Sequence, residues 1–120
     1  MRFENSFVPY GAYWSTPVAK WQGSLSHLHA LSFAADVARS AMDRRESDPP
    51  KLDGSVVGMT PPQKRALYAT PTTGALAVAP HATGTMISQA CATGARVLAT
   101  AEMEIEAAGD RTVLTLTADR

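Results

Sequence analysis

TGTMISQACATGARVLATAEMEIEAAGDRTVLTLTA, residues 83–118, decides the fold. It opens on a β-prone run over 83–89, where Thr85, Met86 and Ile87 stand together. A helical stretch follows over 92–108. Its apolar positions Ala95, Leu98, Ala101 and Ile105 step by three and four, so they predict one buried stripe. Glu102, Glu104 and Glu106 crowd its far half and predict a solvated face. Gly109 is placed to end the helix, because glycine accepts the left-handed turn that a helix stop needs. Residues 111–118 then return to β-rich text, Thr112-Val113-Leu114-Thr115-Leu116-Thr117. Strand, helix and strand in one short run is the signature of a parallel crossover unit.

Working outward, the text before this unit adds more of the same. Residues 52–59 carry Val56 and Val57 between glycines and predict a short buried strand. Thr60-Pro61-Pro62 can open a helix over 63–68, since proline is tolerated in a first turn, and 72–78 predicts a further turn or two. Farther upstream, Leu28, Leu31, Ala35, Ala38 and Met42 share one face of a helix of about five turns. That helix is expected to be capped by Ser24 or Ser26 and to end near Arg45. Residues 9–24 (PYGAYWSTPVAKWQGS) predict a loop whose aromatics fold it back onto the body. Residues 2–8 predict a weak first strand. The expected order is therefore β-α-β-α-β-α-β, an α/β sheet with at least partly parallel strands, in one domain over residues 1–120.

Composition narrows the function classes. Eleven basic and eleven acidic residues give a formal net charge of zero, which argues against a nucleic-acid surface. The longest uncharged stretch, 66–95, is broken repeatedly by Pro, Gly, Thr and His, and so predicts no membrane span. The N-terminus lacks the basic start and apolar run of a signal peptide. One cysteine rules out an internal disulfide and a cysteine-based zinc site, and points to a reducing, cytoplasmic compartment. His27 and His29 are two apart on one chain segment and do not face each other, so no metal site is expected there.

The chemistry concentrates at Ser88-Gln89-Ala90-Cys91-Ala92-Thr93-Gly94. A strand ends, a thiol appears and a helix begins at once. Such a thiol meets the unpaired N–H groups and positive end of the helix, which suit a thiolate. The sharp turn lifts the side chain out of the sheet, and Ala92 and Gly94 leave room for an incoming group. From the residues alone two readings stay open for Cys91: a small buried hydrophobe, or a nucleophile.

ISQACATGARVLATAEMEI, residues 87–105, resembles the segment around the reactive cysteine of thiolases. The resemblance extends to VPYGAYWSTPVAKWQGSLSHLHALSFAADVA over 8–38, VVGMTPPQ over 56–63 and VLTLTADR over 113–120, nearly the whole chain. Gly94 stands where serine is common in such sequences. The resemblance implies an acyltransferase of the acetyl-CoA acetyltransferase kind, working on coenzyme A thioesters by Claisen condensation or thiolytic cleavage. Cys91 would be its acyl-accepting catalytic residue. It implies no bound cofactor, with coenzyme A thioesters as substrates, and a homodimer. It also implies incompleteness. A thiolase subunit is several times longer, with two similar α/β halves and a loop domain that grips coenzyme A. The family's Asn and His segments and its Cys-x-Gly-Gly-Gly motif have no counterpart here, and His27, His29 and His81 lie in the wrong segments to replace them. No coenzyme A ligand is therefore assigned. The expectation is a partial N-terminal thiolase domain: an enzyme whose remaining segments lie elsewhere, or a truncated, non-enzymatic half-domain. A β-ketoacyl synthase, also built around a reactive cysteine, ranks below both, because Gln89-Ala90-Cys91-Ala92-Thr93 reads as the thiolase pattern.

Overall fold

The computed structural model describes residues 3–45, 51–61, 79–108 and 112–119. Within them the chain forms α1 (Ala30–Asp43), β1 (Gly54–Gly58), β2 (Thr83–Ile87), α2 (Thr93–Ala108) and β3 (Val113–Thr117). A single 3-10 turn, Ala90–Ala92, joins β2 to α2. The helices expected over 63–68 and 72–78 lie outside the described residues.

The sheet has the order β2-β1-β3 and all three strands run parallel. Gly54 sits opposite Thr83 on one side and Val113 on the other. Being central, β1 is buried along all five residues, as a strand covered on both faces should be. Its side chains alternate between faces. Val57 joins Leu31, Ala38, Met59 and Leu116 beneath α1, while Val56 joins Val97 and Ala101 beneath α2. The result is three layers, α1, sheet, α2. The α/β class and the parallel sheet agree with the sequence expectation.

Four local expectations are corrected. Residues 3–8 form no strand. The amides of Glu4, Asn5 and Ser6 all donate to one oxygen of Glu106, at 2.8, 2.7 and 2.9 Å. A strand points successive N–H groups to opposite sides, so three consecutive amides on one acceptor exclude a ladder. Consequently the Glu106 carboxylate is an anchor and not merely part of a solvated face. The second correction concerns the loop aromatics: Tyr10 is fully exposed, and Tyr13 and Trp21 are 64% and 62% exposed. Only Trp14 packs against the core, with the Arg45 guanidinium 5.7 Å from its ring centroid. Arg45 also donates to the carbonyls of Gly11 and Tyr13, which pins the loop to the end of α1.

The third correction is the start of α1. The capping serines lie instead in a run of short turns closed by Ser26 N to Gly23 O and Leu28 N to Leu25 O. His29 takes the N-cap position without a side-chain cap. Last, the buried row of α2 is Thr93, Val97 and Ala101, a strict step of four. Of the expected stripe, Ala101 is buried and Ile105 half-buried, whereas Ala95 is exposed and Leu98 is 47% exposed. Leu98 instead lines a groove of about 1240 Å³ that runs along the outer edge of β3 beneath the N-terminal loop.

Candidate active site

Cys91 lies in the 3-10 turn, directly before the first residue of α2, and is exposed. Three features of the surrounding chain hold it there. The first is Ala90, whose φ of 45° is in the left-handed region. A non-glycine residue in that conformation costs on the order of 1–2 kcal/mol. The kink turns the chain sharply out of β2 and leaves Cys91 on the outside of the corner.

Thr93 keeps the kink in place. Its Oγ1 accepts the Gln89 N–H at 2.8 Å and donates to the Ala90 carbonyl at 2.7 Å, so one hydroxyl spans the strained residue from both sides. Thr93 is buried, so these bonds are shielded from competing water.

Gly58, the last residue of β1, provides the third support. A Cβ at this position would lie 2.6 Å from Val97 Cγ2, 2.7 Å from Thr93 Cγ2 and 3.0 Å from Thr117 Cγ2. No side chain fits, and its absence lets the first turn of α2 settle onto the end of the central strand. Cys91 is therefore carried at the carboxyl edge of a parallel sheet, the edge where open α/β sheets place their ligands.

The other candidates fall elsewhere. His81 precedes β2 and its Nε2 is 3.0 Å from the Leu52 carbonyl, before β1. It therefore lies at the amino edge, roughly one strand length of ~17 Å from the cysteine edge. His27 and His29 precede α1, on the sheet face opposite α2. Among the described residues no three His, Cys, Asp or Glu side chains gather closely enough to hold a metal ion. Sequence reading missed Thr93, Gly58 and the Thr60–Asp119 contact described below; only the glycine itself gave a hint.

No protein-family model matches the sequence, and no curated protein sequence does. Among solved structures the chain superposes on an acetyl-CoA acetyltransferase of Bacillus anthracis with a TM-score of 0.72. The fold is thiolase-like. Identity over the match is 21%, and the match covers 82% of this chain and 25% of that one. At that identity the likeness establishes the fold alone, and the chain spans about a quarter of the length of the enzyme it matches. Each described helix is also too short or too polar to cross a membrane.

Proposed function

We propose that this chain is the nucleophile-bearing part of a thiolase-type acyltransferase acting on acyl-CoA thioesters. The observation that carries the reading is the placement of an exposed Cys91 on a strained turn at the carboxyl edge of a thiolase-like sheet. In the reaction, Cys91 Sγ attacks the thioester carbonyl, a new S–C bond forms, and coenzyme A leaves as its thiol carrying the proton of Cys91. The acyl group then passes to an acyl-CoA carbanion in synthesis or back to a coenzyme A thiol in degradation. Amides ahead of the first intrahelical donor, that of Cys91 included, are the groups that can face the oxyanion of the tetrahedral intermediate. The partners in this reading are acyl-CoA as substrate and either a second copy of the chain or further thiolase segments. The compartment is the reducing cytoplasm, where the thiol stays free and lipid acyl-CoA is handled. No tightly bound cofactor takes part.

The experiment is incubation of the purified chain with acetyl-CoA, followed by intact mass and peptide mapping, with Cys91→Ser as control. Acylation at Cys91, lost in the control, supports the proposal. Unmodified protein, or acylation spread over lysines, favours the second reading, a non-enzymatic half-domain. That reading draws on the open groove beside β3.

A further inference from the structure

The three parallel strands all end at the edge that carries Cys91, and a line of hydrogen bonds crosses these ends. Beyond β3, Asp119 grips Thr60 beyond β1 with both oxygens. Oδ1 accepts the Thr60 N–H at 2.9 Å and Oδ2 accepts the Thr60 hydroxyl at 2.8 Å. The carbonyl of the same Thr60 accepts the Ser88 hydroxyl at 3.0 Å. Ser88 opens the link Ser88-Gln89-Ala90 that leads to Cys91. The backbone ladder stops just short of this line, at Met59 N to Ile87 O and Ala118 N to Gly58 O. Past that point, among the described residues, side chains tie the strand ends together.

We propose that Asp119 is a positioning residue for Cys91, acting through Thr60 and Ser88; the assignment rests on Cys91 being the reacting group. The geometry explains the choice of residues. A carboxylate that takes both donors of Thr60 fixes its amide plane and its side-chain rotamer, and Pro61 next in the chain restricts the one remaining backbone torsion. That in turn fixes the direction of the Thr60 carbonyl, the acceptor on which Ser88 depends. Thr93 holds the cysteine turn from the helix side, and the Asp119–Thr60–Ser88 line holds it from the strand side. Between these two anchors lies the left-handed Ala90. The side chains in this line are exposed, so a purely stabilising role would be weakly served there.

The test compares wild type with Asp119→Ala, Asp119→Asn, Ser88→Ala and the double Asp119→Ala/Ser88→Ala variant by amide hydrogen exchange and by the rate of acyl transfer from acetyl-CoA. Asn can rescue because its oxygen still accepts the Thr60 N–H, while its amide donates to a Thr60 hydroxyl that reverses its role. The expected result is faster exchange over residues 89–92 in Asp119→Ala and in Ser88→Ala, by roughly five- to tenfold, the factor that one lost hydrogen bond gives. Acyl transfer falls by a similar factor. The double variant is no worse than either single one, since both break the same line. Asp119→Asn behaves as wild type in both readouts. Exchange over 89–92 that is unchanged in Asp119→Ala, effects that multiply in the double variant, or an Asn variant as impaired as Ala would overturn the proposal. Ser88→Ala leaves β3 untouched and decides the matter if Asp119→Ala folds poorly. Wild-type protein that takes no acyl group, while the variants still loosen residues 89–92, would sink the thiolase reading and leave the positioning role standing.

Discussion

Gly58→Ala tests the whole account of how the site is held. The added Cβ would stand 2.6 Å from Val97 Cγ2 and 2.7 Å from Thr93 Cγ2. Ordinary carbon contacts lie at roughly 3.5–4.0 Å, so each overlap is about 1 Å. The two methyls cannot swing aside cheaply, because Val on a helix is nearly locked at χ1 and the two hydrogen bonds of the Thr93 hydroxyl hold the Thr93 rotamer. Helix α2 must lift instead. Overpacking of this kind costs about 1–3 kcal/mol. Against it stands the lower entropy of an unfolded chain with Ala in place of Gly, worth about 0.4–1 kcal/mol. The net expectation is a loss of about 1–2 kcal/mol, seen as a fall in melting temperature of roughly 3–10 °C for a domain of this size. The lift acts on the turn that carries Cys91, and a displacement near 1 Å can cost on the order of a hundredfold in a positioned reaction. Acyl transfer to Cys91 should therefore fall more steeply than stability. The control is the same substitution in a Thr93→Ser/Val97→Ala background. This background removes both methyls and keeps the Thr93 hydroxyl, so the cost should shrink by about 1 kcal/mol or more. Thermal melts of the four proteins measure the coupling. A Gly58→Ala protein as stable as wild type, or an equal cost in both backgrounds, would refute the close approach of α2 to β1.

Further outcomes follow from the same structure. The amide of Asn5, with the Asn5 side chain and the Ser6 and Glu4 amides, lowers the Glu106 pKa from 4.5 to about 2. A depressed carboxyl contributes stability in full above its unfolded value, and that contribution falls away as pH drops from about 4.5 to about 2, where the anchor itself protonates. NMR titration of the Asn5 and Ser6 amides in the folded protein should follow the folded value of about 2 in wild type and be flat in Glu106→Gln. Strand β2 is an exposed edge strand among the described residues, and self-association through it is expected. Light scattering should show a concentration-dependent dimer, shifted toward monomer by Thr85→Lys, which puts a charge on the edge. A well-behaved monomer at high concentration would tell against this. Finally, the 120-residue chain should not turn over acetoacetyl-CoA repeatedly. A thiolysis assay should give at most one slow, stoichiometric transfer, absent in Cys91→Ala, and multiple turnovers would show that the chain supplies its own base.

What the sequence disclosed is local, and what it hid is long-range. The three strands and the start of α2 were legible because β-rich runs bounded by Gly and Pro admit few other readings. The role of residues 3–8 was not, because Glu106, the residue that decides it, is about a hundred positions away. A Glu among alternating Glu residues looks like a solvated face until the fold brings three amides to it. The phase of α2 failed for a related reason. Counting apolar residues favoured Leu98 over Thr93, yet helix α2 turns its Thr93–Val97 row inward because Gly58 opposes that row and leaves it space. Hydropathy cannot register a missing side chain on another strand.

The site divides in the same way. The position of its thiol at a strand-to-helix corner was readable from the order strand, cysteine, helix. Its supports were not, since Gly58, Thr60 and Asp119 meet the cysteine turn only through sheet register. The sequence expectation that His81 lies in the wrong segment to supply the base agrees with the structure. His81 is the histidine nearest the cysteine strand along the chain. A parallel strand, however, sends its two flanks to opposite edges of the sheet. With His81 on Leu52 at the amino edge and Cys91 beyond the carboxyl edge, β2 itself keeps them apart. Across the carboxyl edge the described acidic group is Asp119, and both its oxygens are occupied by Thr60. A base for the Cys91 proton must then come from a residue beyond those described or from another chain. On the proposed reading the described residues by themselves support a single acyl transfer and not turnover.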